Sequence, residues 1–416
     1  AMDVARGIAL FGSFLVNIQF MVQPMGYLFA STATTEGPLA TAMHWLTRVL
    51  FESKSYPLFS MLFGMGLVLM HDRAKAAGRA FAPTYIRRLA LLLVFGVVHA
   101  FGIWFGDILI YYASFGVVIM WFAPLKPREM VTLASVAVVV ASLWAGGLGV
   151  AIALFGSMGE APESANAANF SEFWQAMTSG QIQGGPELPA WAAAEQDAFG
   201  NGPYLSAVAM RAINWATGTI FWVFMYAIFL HVPAMFLLGA AIVRSGALTD
   251  PDSPWPKRFV LLGLCIGLPG AIAAVAMVEI AGMMSPLASV ASGLTHLGGP
   301  LVSLGYIGLA VWLARSGAIQ WLAKLLANAG RMALTNYLMQ SLVVAFLAQH
   351  WGLAWFGEVD RVEMVLIVVS IFAAQLVLSS LWLSAFAMGP LEYLWRCGTY
   401  LRFPRLRGAA AAPAAQ

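Results

Sequence analysis

A histidine and an aspartate stand in a stretch that otherwise reads as a membrane span. In RRLALLLVFGVVHAFGIWFGDILIYY, residues 87–112, two arginines open a nearly apolar run, His99 sits within it and Asp107 stands where it breaks. A bilayer core takes ~20 apolar residues to cross as a helix, and an ionisable group inside such a helix is costly enough to mark a site. A neutral imidazole can take a proton from an acceptor hydroxyl or amine and return it to a thiolate leaving group. His99 is therefore the candidate general base, and Asp107 would position the acceptor. On one continuous helix the two are ~12 Å apart along the axis, so the partner of His99 is expected from another span. A core histidine bonded to a serine or a carbonyl would account for the same residue without chemistry.

Other polar residues fall at helical spacings. Asp3 and Arg6 are three apart and can pair, and Asn17 follows Arg6 on nearly the same face, ~16 Å along the axis. Arg48 and Glu52 are four apart, with Lys54, Ser55 and Tyr56 just beyond. The cost of facing lipid turns Glu52 and Lys54 toward the bundle interior. His44 lies outside this cluster, either as an accessible base or as a wet interfacial side chain. Asn336 and Gln340 make one polar face, with Arg331 and Thr335 just before them. Interhelical hydrogen bonding accounts for such a face equally well, and is preferred for His231 and Gln375. Glu279 is a further embedded acid, and in GPLEYLWR Glu392 is expected to pair with Arg396 on an interfacial anchor helix.

These residues must be carried by membrane helices, since the 416-residue chain is 61% hydrophobic and 10% charged. That excess of apolar side chains suits an all-α, polytopic bundle. About ten apolar runs are long enough, or nearly so, to cross: 7–29, 49–71, 88–107, 108–125, 130–156, 216–243, 258–281, 297–315, 332–350 and 364–388. The third and fourth would meet in a tight hairpin at Gly106 and Asp107. With the amino terminus in the cytoplasm, most of the 22 Lys and Arg residues fall on that side and both termini lie there. Arg48, Lys54, Arg211 and Arg361 are the exceptions.

Residues 1–407 are read as a single integral membrane domain. An acidic external segment spans 157–215 and is expected to be solvated rather than a lid, and 408–416 form a disordered tail. A net charge of +3, scattered through loops, gives no nucleic-acid stripe. Two distant cysteines give no disulfide framework and no metal site is expected. Walker loops, GxGxxG, HExxH and nucleophile elbows are absent from the sequence.

DVARGIALFGSFLVNI, KSYPLFSMLFGMG, VVHAFGIWFGDILIYYASFG, AGRMALTNYLMQS and GPLEYLWR occur in an order that resembles the YeiB family of bacterial inner-membrane proteins. That family is similar to transmembrane acyltransferases of the heparan-alpha-glucosaminide N-acetyltransferase and acyltransferase-3 types. The resemblance implies transfer of an acetyl or small acyl group from cytoplasmic acyl-CoA, a co-substrate rather than a bound cofactor, to an envelope saccharide or small molecule. In the acyltransferase-3 pattern an arginine near the start of the first span precedes a catalytic histidine by eleven residues. Arg6 matches, and Asn17 stands in the histidine's place, where it can hydrogen-bond but not act as a base. The acetyltransferase type has a histidine after its first span, and His44 is the histidine in that neighbourhood.

The expected site has His99 as base, with Asp107 and His44 as further catalytic candidates. Asn17, Glu52, Lys54, Tyr56, Tyr111, Asn336 and Gln340 would bind the acceptor, and Arg6, Arg87, Arg88 and Arg331 would attract CoA phosphates. The rival is a proton-coupled transporter or lipid-handling protein in which His99, Asp107 and Glu279 relay protons. A noncatalytic scaffold is the third reading. The pattern is compatible with a monomer or a homodimer in the bilayer.

Overall fold

The computed structural model describes residues 1–25, 37–156, 190–220, 223, 226–282, 285–317 and 319–407. Among them every regular element is helical. In chain order these are α1 (Met2–Val22), α2 (Pro38–Leu50), α3 (Ser55–Ala76), α4 (Ala82–Gly102), α5 (Leu109–Ile119), α6 (Pro127–Gly156), α7 (Ala190–Gln196) and α8 (Tyr204–Ile220). Then follow α9 (Ile228–Arg244), α10 (Trp255–Ala281, with a π turn over Gly263–Gly267), α11 (Pro286–Arg315), α12 (Gln320–Arg331), α13 (Ala333–Ala348), α14 (Arg361–Ala385) and α15 (Pro390–Tyr400).

Six of the described helices are long and apolar enough to cross a membrane: α1, α4, the Pro127–Gly147 part of α6, α10, α11 and α14. Segments Leu109–Phe122, Ile228–Arg244 and Ala333–Ala348 are apolar but shorter. Valines and leucines stand exposed along α4, α6 and α14. In a bilayer they face lipid, which is as apolar as the core, so packing between helices rests on close fit rather than on escape from water.

Small residues supply that fit. Gly64 of α3 lies against the backbone carbonyl of Phe236 in α9, and Gly239 of α9 against that of Met61, so a side chain at either position would drive the pair apart. The same device seats α1 on α12, through Gly7 against Leu326 and Gly330 against Asp3.

The expected run 216–243 is not one helix, since α8 ends at Ile220 and Ala227 adopts φ 46° just before α9, and two further boundaries differ in ways that matter for the site. The run 88–107 does not stay helical: α4 ends at Gly102, the amides of Ile103 and Trp104 both bond back to the carbonyl of His99, and the chain turns before α5 begins at Leu109. The run 49–71 is broken between α2 and α3 by a turn in which Ser53 adopts φ 60°, an uncommon conformation for a residue other than glycine. The tail 408–416 and residues 157–189 of the acidic segment lie outside the described residues. Within 190–215, Glu195 is not solvated: it is buried, accepting from the amide of Met25 at 2.7 Å and from Asn214 Nδ2 at 2.5 Å.

Candidate functional site

The turn after α4 carries Asp107 back onto the helix it has just left. His99 Nδ1 lies 2.7 Å from Asp107 Oδ2, and both side chains are fully buried. The expectation that the two cannot touch is therefore wrong, because it assumed a continuous helix through residues 103–107. Asp107 Oδ1 accepts from the amide of Ile110 at 2.8 Å, so one carboxylate both opens α5 and holds the imidazole. Gly96 makes room for this return: a Cβ there would stand 2.9 Å from Asp107 Oδ1 and from the amide nitrogen of Ile110.

Hydrogen bonding to a carboxylate places the proton of neutral His99 on Nδ1 and leaves the lone pair on Nε2. Nε2 is buried with no hydrogen-bond partner among the described residues. The ring of Tyr337 packs against the imidazole at 5.0 Å between centroids, and Trp104 approaches at 6.0 Å. Trp104 is itself fixed by a bond from Nε1 to the carbonyl of Phe20.

A cavity of about 690 Å³ runs alongside. At one end it is lined by Asp3, Arg6, Arg88, Arg331, Glu392 and Arg396, and at the other by Asn17, Ser53, Ser55, Tyr56, Gly106 and Ile108. Along α1 the distance from Arg6 to Asn17 is ~16 Å, which gives the cavity its reach. His99 and Asp107 stand one layer behind its wall. Tyr337, which lines it, touches the imidazole, and Gly106 and Ile108, which also line it, flank the aspartate.

The arginine end holds more positive charge than its acids neutralise. Arg6 pairs with Asp3, and Arg331 gives a hydrogen bond to the carbonyl of Ala387 at 3.0 Å. Arg88 lies 3.7 Å over the ring of Trp395, and neither it nor Arg396 has an ion pair among the described residues. Glu392 does not pair with Arg396 as expected. Its carboxylate takes the amides of Leu334 and Thr335 at 2.8 and 3.1 Å and the Thr335 hydroxyl at 2.6 Å. It thus caps the orphan donors at the start of α13. Burial pushes the Glu392 carboxyl above its ordinary range, although these donors pull the other way.

Of the predicted residues, the cavity gathers Arg6, Asn17, Tyr56, Arg88 and Arg331. Arg87 points elsewhere, bonding the carbonyl of Thr399 at 3.0 Å. Tyr111 bonds Thr219 at 2.8 Å, away from the cavity lining. Asn336 and Gln340 tie α13 to α14: Asn336 Nδ2 donates to Ser379 at 2.9 Å and Gln340 Nε2 to Gln375 at 2.9 Å. They act as interhelical bonds, not as cavity groups. His44 is not outside the Arg48 cluster but part of it, with Nε2 2.8 Å from Glu279 Oε1, while Arg48 bridges Glu279 and Glu52. Lys54 is buried and donates to the carbonyl of Arg48 at 2.8 Å. Neither His44, Glu52 nor Lys54 lines the cavity.

Residues that the sequence did not mark as site candidates complete the picture. Arg211, 1% exposed, donates to the carbonyl of Phe101 at 2.9 Å and to Gln349 Oε1 at 2.9 Å, and Tyr204 donates to the carbonyl of Gly102 at 2.6 Å. These satisfy carbonyls at the broken end of α4. Tyr337 and Trp395 lay within quoted motifs, but nothing in their spacing set them apart from ordinary core aromatics.

Apolar spans around a buried histidine–carboxylate pair and a basic-ended cavity define a multi-pass helical membrane protein with an internal polar site. Residues 242–402 match the family described as a protein of unknown function, DUF418. The chain is 33% identical to the uncharacterized protein YxaH of Bacillus subtilis, over 96% of this chain and 94% of that one. It is 31% identical to the uncharacterized protein YeiB of Escherichia coli, over 95% and 94% respectively. It therefore belongs to the YeiB-like family. No solved structure matches it.

Proposed function

We propose that this protein is a membrane acyltransferase of the bacterial inner membrane, moving an acetyl or small acyl group from cytoplasmic acyl-CoA to an envelope saccharide or small-molecule acceptor. The observation that carries the reading is the cavity between Arg88 and Arg396, which have no ion pair among the described residues, and the wall behind which His99 Nε2 stands without a partner among those residues. The excess of Lys and Arg at that end favours a cytoplasmic position for it and for both termini, in a bundle read as about ten crossings.

Arg88 and Arg396 would hold the phosphates of the donor, as guanidinium groups do. The pantetheine arm, thin and largely apolar, would follow α1 toward Asn17. With the Tyr337 ring turned aside to open the wall between them, His99 Nε2 would take the proton of the acceptor hydroxyl or amine as the new C–O or C–N bond forms and the thioester C–S bond breaks. The imidazolium would return that proton to the departing thiolate, with Asp107 stabilising the charge in between.

The test is free CoA release by purified protein in nanodiscs, given labelled acetyl-CoA and envelope extract. Release that depends on extract and disappears in His99→Gln, with acetyl-CoA binding kept, is the expected result. Protein that neither binds acetyl-CoA nor releases CoA would overturn the reading in favour of a transporter or lipid-handling protein.

A further inference from the structure

A second buried histidine pair lies beside the same cavity, and its hydrogen bonds count protons. Tyr56, from the cavity wall, has its hydroxyl 3.0 Å from His231 Nδ1, and His231 Nε2 is 3.1 Å from the carbonyl of His296. A carbonyl only accepts, so His231 carries its proton on Nε2 and takes the Tyr56 hydroxyl proton at Nδ1. His231 is satisfied as a neutral imidazole.

His296 is not. Its Nδ1 is 2.8 Å from the carbonyl of Ser292 and its Nε2 is 2.6 Å from the carbonyl of Tyr226. Both partners are acceptors without a proton to give. A neutral imidazole has one N–H, so it would aim a lone pair at one of these oxygens at hydrogen-bonding distance. Only the imidazolium satisfies both. Turning the ring over would put carbon at both positions and lose both bonds.

We propose that His296 is a proton-binding site inside the bundle, held as an imidazolium by the carbonyls of Ser292 and Tyr226, with His231 and then Tyr56 standing between it and the cavity. The residue is 2% exposed. Burial works against the charge, and the two carbonyl dipoles that meet both N–H groups are what would offset that cost. The groups facing it are His231 from α9, with rings 4.8 Å apart, and Tyr226 from the turn before α9, stacked at 6.0 Å; Tyr56 from α3 follows behind His231. Among the described residues no carboxylate forms an ion pair with either imidazole. The bound proton therefore makes this part of the bundle positive. The site stands whether or not acyl transfer occurs.

Nitrogen-15 magic-angle-spinning NMR of the histidine-labelled full chain in liposomes at pH 8 reads the protonation state directly. One doubly protonated ring is expected, lost in His296→Gln and kept in His99→Gln. His44 and His71 face carboxylates and are the competing sources, so the double variant His44→Gln with His71→Gln must retain the signal. This second variant keeps His296 in place and decides the matter if His296→Gln fails to fold. The absence of any doubly protonated ring in the wild type, or its disappearance in the double variant, overturns the proposal.

Discussion

Replacing Asp107 with asparagine tests the dyad more sharply than removing His99. The aspartate makes two bonds in the fully buried site, to His99 Nδ1 at 2.7 Å and from the Ile110 amide at 2.8 Å. Asparagine keeps Oδ1 for Ile110 and offers an N–H to His99. The fold then loses only the difference between a charge-assisted and a neutral hydrogen bond, about 1 kcal/mol. The chemistry loses far more, because an N–H donor facing Nδ1 forces the imidazole proton onto Nε2 and removes the lone pair the mechanism needs. General-base catalysis contributes roughly 10²–10⁴-fold, and that is the expected drop in the rate of CoA release.

Asp107→Ala gives the contrast. It leaves His99 Nδ1 and the Ile110 amide unsatisfied, at about 1–3 kcal/mol each, so this variant is expected to be both inactive and markedly less stable. The two variants are compared by extract-dependent CoA release and by thermal unfolding in detergent. Asp107→Asn that folds and keeps a rate within about threefold of wild type would refute the assignment of His99 as base, since the expected loss is at least tenfold larger.

Arg88→Gln is expected to weaken CoA binding about ten- to a hundredfold, the worth of one charge-assisted bond, while Arg87→Gln leaves it unchanged; calorimetric titration with CoA distinguishes them. Gly96→Ala places a methyl group 2.9 Å from Asp107 Oδ1, and is expected to lower CoA release with little effect on CoA affinity. Burial raises the Glu195 carboxyl to about 7, with donors from Met25 and Asn214 opposing the shift. Because the folded-state value lies above the unfolded one, its contribution to stability is full below about 4.5 and is lost as the pH rises through about 7. Unfolding temperature against pH should therefore fall over that window in wild type and flatten in Glu195→Gln. Gly64→Val should drive α3 from α9 and reduce the yield of folded protein in size-exclusion chromatography, at a cost of at least ~1–3 kcal/mol.

What the sequence made legible was periodic. Arg6 and Asn17 share a helical face and both line the cavity, and Arg48 meets Glu52 at 3.2 Å, as three- and four-residue spacings require. Burial of His99 followed from its place in an apolar run. The same reasoning failed at Asp107 because periodicity continues a helix until something stops it, and here nothing local does so decisively. Gly102 and Gly106 permit a break without requiring one. The roles of Asn336 and Gln340 were undecidable for a related reason: a polar face on a helix looks the same whether it meets a cavity or the amide of Gln375.

The reason for the break lies more than a hundred residues away. A helix that ends inside a bundle exposes carbonyls and the negative end of its dipole, and both are costly where water is absent. Arg211 meets this cost with a full positive charge, donating to the carbonyl of Phe101 and to Gln349, while Tyr204 takes the carbonyl of Gly102. Its burial without a carboxylate partner among the described residues is thus no anomaly, since its counter-charge is the end of α4 itself. A basic residue in a segment otherwise rich in acids was the visible trace of this arrangement, and it read as an exception to the positive-inside bias. The His99–Asp107 pair depends on that distant arginine: without it α4 gains by continuing through residue 103, and each residue added to the helix carries Asp107 away from the imidazole.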